Sequence, residues 1–327
     1  MSKTKISIVA VTFNGIDLIA PFINSIYKSS LNKDEVEIII LDNASNDGTA
    51  DFIEINYPLV KLIRNKKNKG TAAFNDATNI TKGEYLLITD PDMIFEKNCL
   101  ENFYKTAKRL GKGIALSPTL YEYDNKEKLM SSYSILSRSF YSLFINPKHI
   151  NLKLKEIFMA GFIFFHRDML KKLGYVFDND YFLYGEDFDL CLRIRLLGFK
   201  LYTCPDTIMY NKPPSHTSKR YIGQARITYY LERNMLITFF KICSAKTLIL
   251  YFPFVVFARF CAMVKDLITI NHRIFLSRVK AYLWVIFNLD LILKKRRLTQ
   301  KIRIKNDKYI FSISNDKYFI RSKLGFF

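Results

Sequence analysis

Asp90 and Asp92, on either side of Pro91 at the end of the apolar run Tyr85–Thr89, carry the plainest chemistry in this chain. Two carboxylates at a strand end are hard oxygen ligands, suited to a divalent cation that holds a diphosphate. The run itself reads as a central strand of a parallel sheet, and open α/β sheets bind ligands at the carboxyl ends of such strands. Acidic pairs also occur in loops and cap helices, so this one needs support from elsewhere. A second pair, Glu186-Asp187, lies far along the chain at the start of the helical spacing of Asp187–Leu197, with Gly198 placed to end the helix. The helix dipole stabilises anions at such a position whatever their use, so the pair reads both as a cap and as a reactive site.

Both pairs need elements to position them. Lys5–Phe13 reads as a first strand and Asp17–Ser30 as a helix after an Asn14-Gly15 turn. Glu37–Leu41 is a second strand, and Ser45-Asn46-Asp47-Gly48 offers cap chemistry for a helix to about Asn56. Val60–Ile63 is a short third strand, followed by a polar Asn65–Gly70 loop and a helix over Thr71–Ile80; Tyr85–Thr89 is the fourth strand. This alternation implies a doubly wound, mostly parallel α/β sheet. Each strand ends in polar residues: Thr12-Phe13-Asn14, Asp42-Asn43, Asn65 and Asp90-Pro91-Asp92. Right-handed crossovers bring those ends to one edge, where they look like a nucleotide-diphosphate site.

The chain has 327 residues, 49% hydrophobic and 15% aromatic, which argues against disorder. Neither GxGxxG nor GxxxxGK[ST] is present, which leaves a Rossmann dehydrogenase and a P-loop NTPase unsupported. A sugar-1-phosphate nucleotidylyltransferase would want a Gly-rich basic loop after the first strand, and Thr12-Phe13-Asn14-Gly15 is not one. Four scattered histidines without HExxH argue against zinc. Five cysteines with no CxxC fit reduced, buried thiols in a cytosolic compartment. Ile6–Val11 is too short for a signal-peptide core, so no leader is expected.

Taken in order, these segments resemble the family 2 inverting glycosyltransferases of GT-A fold, especially their bacterial rhamnosyltransferase-like branch. The resemblance rests on Val11–Asn14, Leu41–Thr49, Asn68-Lys69-Gly70 with Asn75, Asp90-Pro91-Asp92, Ala160-Gly161, and Tyr184–Leu190 followed by Arg193 and Gly198. It covers roughly residues 5–240. It implies a donor pocket of Thr12, Asn14, Asp42, Asn43, Gly70 and Asp90, with Gly161 allowing close approach of sugar or acceptor. It also implies Mg²⁺ or Mn²⁺ on Asp92 and Asp90, Asp187 as general base for the acceptor hydroxyl, and Glu186 in support. The chain departs from the family after Asp206, where many members carry a metal-completing histidine. Asn211 stands in that place, and His216 follows in a loop rich in Pro, Ser and Lys that reads as a lid. His216 is then either a weak further metal ligand or a solvent-facing loop residue. Lys219 or Arg220 would reach a phosphate.

The tail differs in character from the body. Residues 221–327 hold 20 Lys+Arg against 5 Asp+Glu, a net of +15, leaving +5 for residues 1–220. Leu248–Ala258 and Ala281–Leu293 are apolar, each shorter than the roughly 20 residues of a spanning helix, and the second runs into Lys294-Lys295-Arg296-Arg297. Residues 300–327 alternate like a strand. The expected organisation is therefore a nucleotide-sugar-binding half (1–95), an acceptor-binding half (96–220) and a C-terminal helical, basic, membrane-associating extension (221–327). The alternative for the tail is a helical core packed on the catalytic domain. No nucleic-acid motif accompanies the charge, so nucleic acid is not an expected partner. The function expected is transfer of a sugar, rhamnose from dTDP-rhamnose or a hexose or N-acetylhexosamine from UDP, to a lipid-linked polysaccharide precursor. That would take place at the cytoplasmic, inner face of the cell membrane. A membrane-bound scaffold that keeps the fold without chemistry is the rival, and four intact carboxylates count against it.

Overall fold

A computed structural model describes residues 4–130, 133–144, 152–213 and 223–313. The amino-terminal strands form where β-branched runs occur: β1 (Ile6–Thr12), β2 (Val36–Asp42), β3 (Lys61–Arg64) and β4 (Tyr85–Thr89). Between them lie α1 (Ile16–Tyr27), α2 (Thr49–Asn56) and the short α3 (Phe74–Ala77). Next come β5 (Met93–Phe95), α4 (Cys99–Leu110), β6 (Ile114–Glu122), β7 (Leu129–Met130), β8 (Tyr133–Leu136) and β9 (Ser142–Phe144). The chain continues with β10 (Glu156–Ile157), β11 (Met159–Ala160), β12 (Ile163–His166), α5 (Arg167–Leu173), α6 (Glu186–Leu196) and β13 (Lys200–Asn211). Among the described residues five helices follow: α7 (Gln224–Ile242), α8 (Ala245–Ile268), α9 (His272–Phe287), α10 (Leu289–Lys301) and α11 (Asp307–Ile310).

The main sheet runs β10-β13-β6-β12-β4-β1-β2-β3, with β5 on β13 and β7 on β6. β3, β2, β1 and β4 are mutually parallel, β12 is antiparallel to both its neighbours, and β13 is parallel to β6. A separate three-stranded sheet is ordered β11-β8-β9. The period-2 alternation of β1 sorts its side chains between two cores. Ile6, Ile8 and Ala10 pack with α1 and α4 residues such as Phe22 and Phe103, whereas Val9 joins Phe188 and Leu190 of α6 and Ile237 of α7 on the other side. This is the GT-A arrangement, a mostly parallel sheet with helices on both faces.

Several elements differ from their sequence expectation. The helix expected over Thr71–Ile80 shrinks to a 3₁₀ turn, Gly70–Ala73, and α3. Asn75 turns its side chain across to the α5–α6 connection, accepting from Val176 N at 2.9 Å and donating to Phe177 O at 2.7 Å. Thr78 Oγ1 donates back to Asn75 O at 2.8 Å, the kind of local competition that shortens helices. Leu248–Ala258 does not stop at Arg259 but lies inside the 24-residue α8, because Arg259 and Asp266 find buried partners. Ala281–Leu293 is broken at Asn288, whose amide donates to Trp284 O at 2.8 Å. Residues 300–313 are helix end and turn rather than strand, with Asn306 capping α11; 314–327 lie outside the described residues. Position 220 is also no boundary of the core: Met235, Phe239, Val285, Ile292 and Ile310 share one buried cluster with Val9 and Leu86. Cys99, Cys191, Cys204 and Cys243 are free and buried, as their pattern implied.

Candidate active site

The donor side is assembled by β1 and β2, whose parallel register sets Thr12 beside Asp42. Beyond them, two loops are tied together. Asn43 N donates to Thr12 O (2.9 Å), Asn14 N to Ser45 Oγ (2.8 Å), and Asn46 N to Asn14 Oδ1 (2.9 Å). Asp47 accepts from Ile16 N and Thr49 N, fixing the entry into α2. Asp42 is buried and accepts from Ser45 N at 3.0 Å through Oδ2. Its Oδ1 and Thr12 Oγ1 are buried with no hydrogen-bond partner among the described residues. Buried polar atoms are rarely left so, and these two are free to take up hydrogen bonds from a ligand.

Asn43 and Gly70 also hold protein to protein. Asn43 is buried, donates to Gly70 O at 2.9 Å and accepts from Asn65 Nδ2 at 3.0 Å, so its amide fastens protein to protein. Gly70 has φ +60°, and a Cβ on it would fall 1.8 Å from Phe182 O. Only glycine fits where this loop presses on the segment leading to Glu186.

The first acid pair sits between β4 and β5. Because β5 pairs antiparallel with β13, Asn211 lies opposite Met93, and its Nδ2 donates to Asp92 Oδ2 at 3.2 Å; Lys212 N donates to Asp92 O at 2.7 Å. The position read as replacing a family histidine therefore does meet the acidic pair. The second pair begins α6, behind Gly185 (φ +84°) and Tyr184 (φ +63°). A Cβ on Gly161, which follows β11, would lie 3.5 Å from Asp187 Oδ2, so this glycine keeps space open beside that carboxylate.

The electrostatics show that the two pairs converge. Burial, then Asp92, then Glu186 push Asp90 up to about 8. Asp90 as a whole residue is exposed to solvent, and the charges of Asp92 and Glu186 set the upward direction of its shift. Burial, then Glu186 and Asp90, raise Asp187 well above the carboxylate range, and burial raises Glu186 to about 7. Glu186 Oε2 is buried with no partner among the described residues. Carboxylates from two distant parts of the chain thus lie near enough to repel one another, a repulsion that a cation or a proton would relieve.

The donor set fits a hard divalent cation in a limited way. Asp90 and Asp92 supply oxygen ligands, and no group of three His, Cys, Asp or Glu among the described residues is spaced to hold a metal alone. A cation here would need diphosphate oxygens or water to complete its shell. His216, Lys219 and Arg220 lie outside the described residues.

Sequence reasoning missed the residues that hold this cleft in shape. Asn234 of α7 donates to Leu183 O (3.1 Å) and Tyr184 O (2.6 Å), holding the left-handed turn before Glu186. Lys241, fully buried, pairs with Asp178 Oδ2 at 2.6 Å and Asp189 Oδ1 at 2.8 Å. Arg193 pairs with Asp189 at 2.8 Å and donates to Tyr175 O at 2.9 Å. The available signal was a polar Asn234 just before, and a lone Lys241 inside, the largely apolar stretch Met235–Ile242.

Known proteins share this architecture. Dolichyl N-acetyl-alpha-D-glucosaminyl phosphate 3-beta-D-2,3-diacetamido-2,3-dideoxy-beta-D-glucuronosyltransferase of Methanococcus voltae is 28% identical over 240 residues, 71% of this chain and 74% of its own. The structure of GalNAc-T7 with UDP, GalNAc and Mn²⁺ superposes with a TM-score of 0.57 at 17% identity, covering 72% of this chain and 49% of that one. Residues 1–349 of S. aureus TarS with UDP give 0.51 at 17% identity, over 73% of this chain and 66% of that one. These two structures establish the fold. Residues 7–174 match the family model described as glycosyl transferase family 2, a span that takes in β1 through α5 and the Asp90–Asp92 pair, and the chain is a member of that family.

Proposed function

We propose that the chain is an inverting transferase that moves a sugar from a nucleoside-diphosphate donor to a hydroxyl of a lipid-linked or polymer glycan. The observation that supports this most is the convergence of Asp90, Asp92, Glu186 and Asp187 on one cleft. Thr12 and Asp42 bind the nucleoside, with Asn14 shaping the pocket wall. Asp187 takes the proton of the acceptor hydroxyl as that oxygen bonds to the anomeric carbon, and the bonding pair to the old substituent departs with the diphosphate. Glu186 supports Asp187 in that role, and Gly161 leaves room for the acceptor. Mg²⁺ or Mn²⁺ held by Asp92 and Asp90 would supply stabilisation of the leaving diphosphate's charge. The scaffold alternative gives no reason for unpartnered buried oxygens on both sides of the cleft.

For the donor, UDP is favoured, since both superposed structures carry it. dTDP-rhamnose remains the expectation of the branch resemblance and is the second arm of the test. A lipid-linked acceptor, as in the name of the Methanococcus relative, would place the enzyme peripherally at the inner face of the cell membrane. Thermal denaturation with UDP, dTDP and GDP, each with and without Mn²⁺, tests the reading. Saturation at 100 times the dissociation constant adds about 2.7 kcal/mol of stability. We expect a Mn²⁺-dependent shift with UDP that Asp92→Ala abolishes. A shift with dTDP alone would assign the rhamnosyl donor, and none with any nucleotide would reject the transferase reading.

A further inference from the structure

α8 is built inside out. Its inward stripe is Val255, Arg259, Ala262 and Asp266, so the residues it hides include two charges. Its outward faces carry Phe254, Phe257, Phe260 and Ile268, exposed by 53%, 62%, 60% and 76%. A helix on a water-facing surface shows the reverse pattern. The hidden charges are paired: Arg259 with Glu232 of α7 at 3.3 Å and Asp266 with Arg278 of α9 at 2.7 Å. The helix is long and apolar enough to cross a bilayer, roughly 36 Å at 1.5 Å per residue against a hydrocarbon core of about 30 Å.

Its tethers exclude crossing. Ser244, at the amino end, donates from its N to Asp307 Oδ2 at 2.8 Å. Mid-helix, Arg259 donates to Ser139 O at 2.9 Å and stacks 4.7 Å over Tyr141. Asp266 is held by α9 near the carboxyl end. A helix fastened along its whole length to the catalytic body would drag that body into hydrocarbon if it stood upright. Lying flat, it presents only its apolar face.

α9 adds the matching charge. Arg273, Leu276, Lys280, Leu283 and Phe287 recur at three- and four-residue steps, so they share one stripe, and all five are exposed. Cations alternating with large apolar groups suit the headgroup boundary of an anionic leaflet, where Lys and Arg stems lie along acyl chains and their heads reach phosphates. A second copy of the chain would set like charges against each other.

We propose that the outer face of the α8–α9 pair inserts in plane into an anionic membrane leaflet, making the protein monotopic. This deepens the lipid-linked acceptor reading by naming the surface that meets the lipid. Vesicle binding needs no turnover, so it fails or succeeds separately from the nucleotide-binding test.

The experiment is flotation of the full chain at physiological salt with vesicles of phosphatidylglycerol and phosphatidylcholine, or of phosphatidylcholine alone. We expect flotation with the anionic mixture and at least a tenfold weaker partition onto the neutral one. Arg273→Gln with Lys280→Gln should weaken anionic binding about 30-fold. Phe257→Asp with Phe260→Asp should abolish it, and Phe257→Leu with Phe260→Leu should keep it. Melting temperature and nucleotide-induced stabilisation of each variant report whether the body is intact. To fix orientation, single cysteines at Lys246 and Asn271, in a Cys261→Ser background, are labelled by an impermeant maleimide added outside. Labelling of both supports the in-plane helix, and protection of one shows a spanning helix and overturns it. No flotation of the wild-type chain overturns it as well. So does a dimer in solution that Phe257→Asp with Phe260→Asp dissociates without any vesicle binding by the wild type.

Discussion

In the proposed reaction Asp187 and Asp92 take different parts, and substitution separates them. Asp187→Asn removes the proton acceptor and leaves a polar group of the same shape beside Gly161. Transfer should fall about 10²–10⁴-fold with nucleotide-induced stabilisation retained, as measured by initial rates alongside thermal shifts. The burial that raises Glu186 to about 7, and that together with Glu186 and Asp90 raises Asp187 above the carboxylate range, also predicts a pH profile. The base acts deprotonated, so kcat/KM should decline as pH falls through a pKa well above the ordinary carboxylate value near 4. A profile flat down to pH 5 would remove these carboxylates from the proton transfer. Asn211 acts through Asp92, to which it donates at 3.2 Å. Asn211→Ala should lower kcat/KM and apparent Mn²⁺ affinity together, about 10–100-fold, the usual cost of losing a group that orients a ligand. A unit-sized effect on both would mean Asp92 is held by its backbone alone.

At the scale of elements, α7 is the strut on which α6 and its leading loop depend. Burial alone would raise Asp178, yet Lys241 and Lys295 hold it far below the carboxylate range. Burial would likewise lower Lys241, which Asp189 and its neighbours hold above the ordinary lysine value. The depressed Asp178 contributes stability that is complete above about pH 4 and lost as pH falls through its lowered pKa. The raised Lys241 contributes stability complete below about pH 10.4 and lost as pH rises through its elevated one. Lys241→Met leaves Asp189 and Asp178 short of a buried partner and should cost about 3–5 kcal/mol at pH 7. The difference from wild type, read by urea denaturation, should narrow below about pH 4 as the carboxylates protonate. The strands and the two acid pairs were legible because local runs encode them: β-branched residues make β1 and β2, and Asp90 and Asp92 stand two positions apart. Lys241 was not legible, because Asp178 and Asp189 lie 63 and 52 positions before it, and no period in the sequence links them. α8 was misread for a related reason: Arg259 and Asp266 look like interruptions of an apolar run until their partners on α7 and α9 are seen.

For the molecule as a whole, the change in composition near residue 220 does not coincide with an edge of the buried core. The charge of +15 over 221–327 against +5 over 1–220 invites a cut there. The structure, however, draws Met235, Leu236, Ile237, Phe239 and Ile242 into the core beneath the sheet. Burying each of those side chains is worth about 1.5–3 kcal/mol, so the five together contribute about 10 kcal/mol. That matches the whole stability of an ordinary domain, about 5–15 kcal/mol. The loss of α7 also strips Asn234 from the turn before Glu186 and Lys241 from Asp178 and Asp189. A fragment of residues 1–222 should therefore lack a cooperative thermal transition and bind no nucleotide, despite carrying all four cleft carboxylates. A fragment of residues 1–313 should melt as a single unit and keep the nucleotide response. Calorimetry on the two fragments decides the matter. A sharp transition in 1–222 would mean that the basic tail is an appendage after all, and that the geometry of Glu186 and Asp187 is encoded without it.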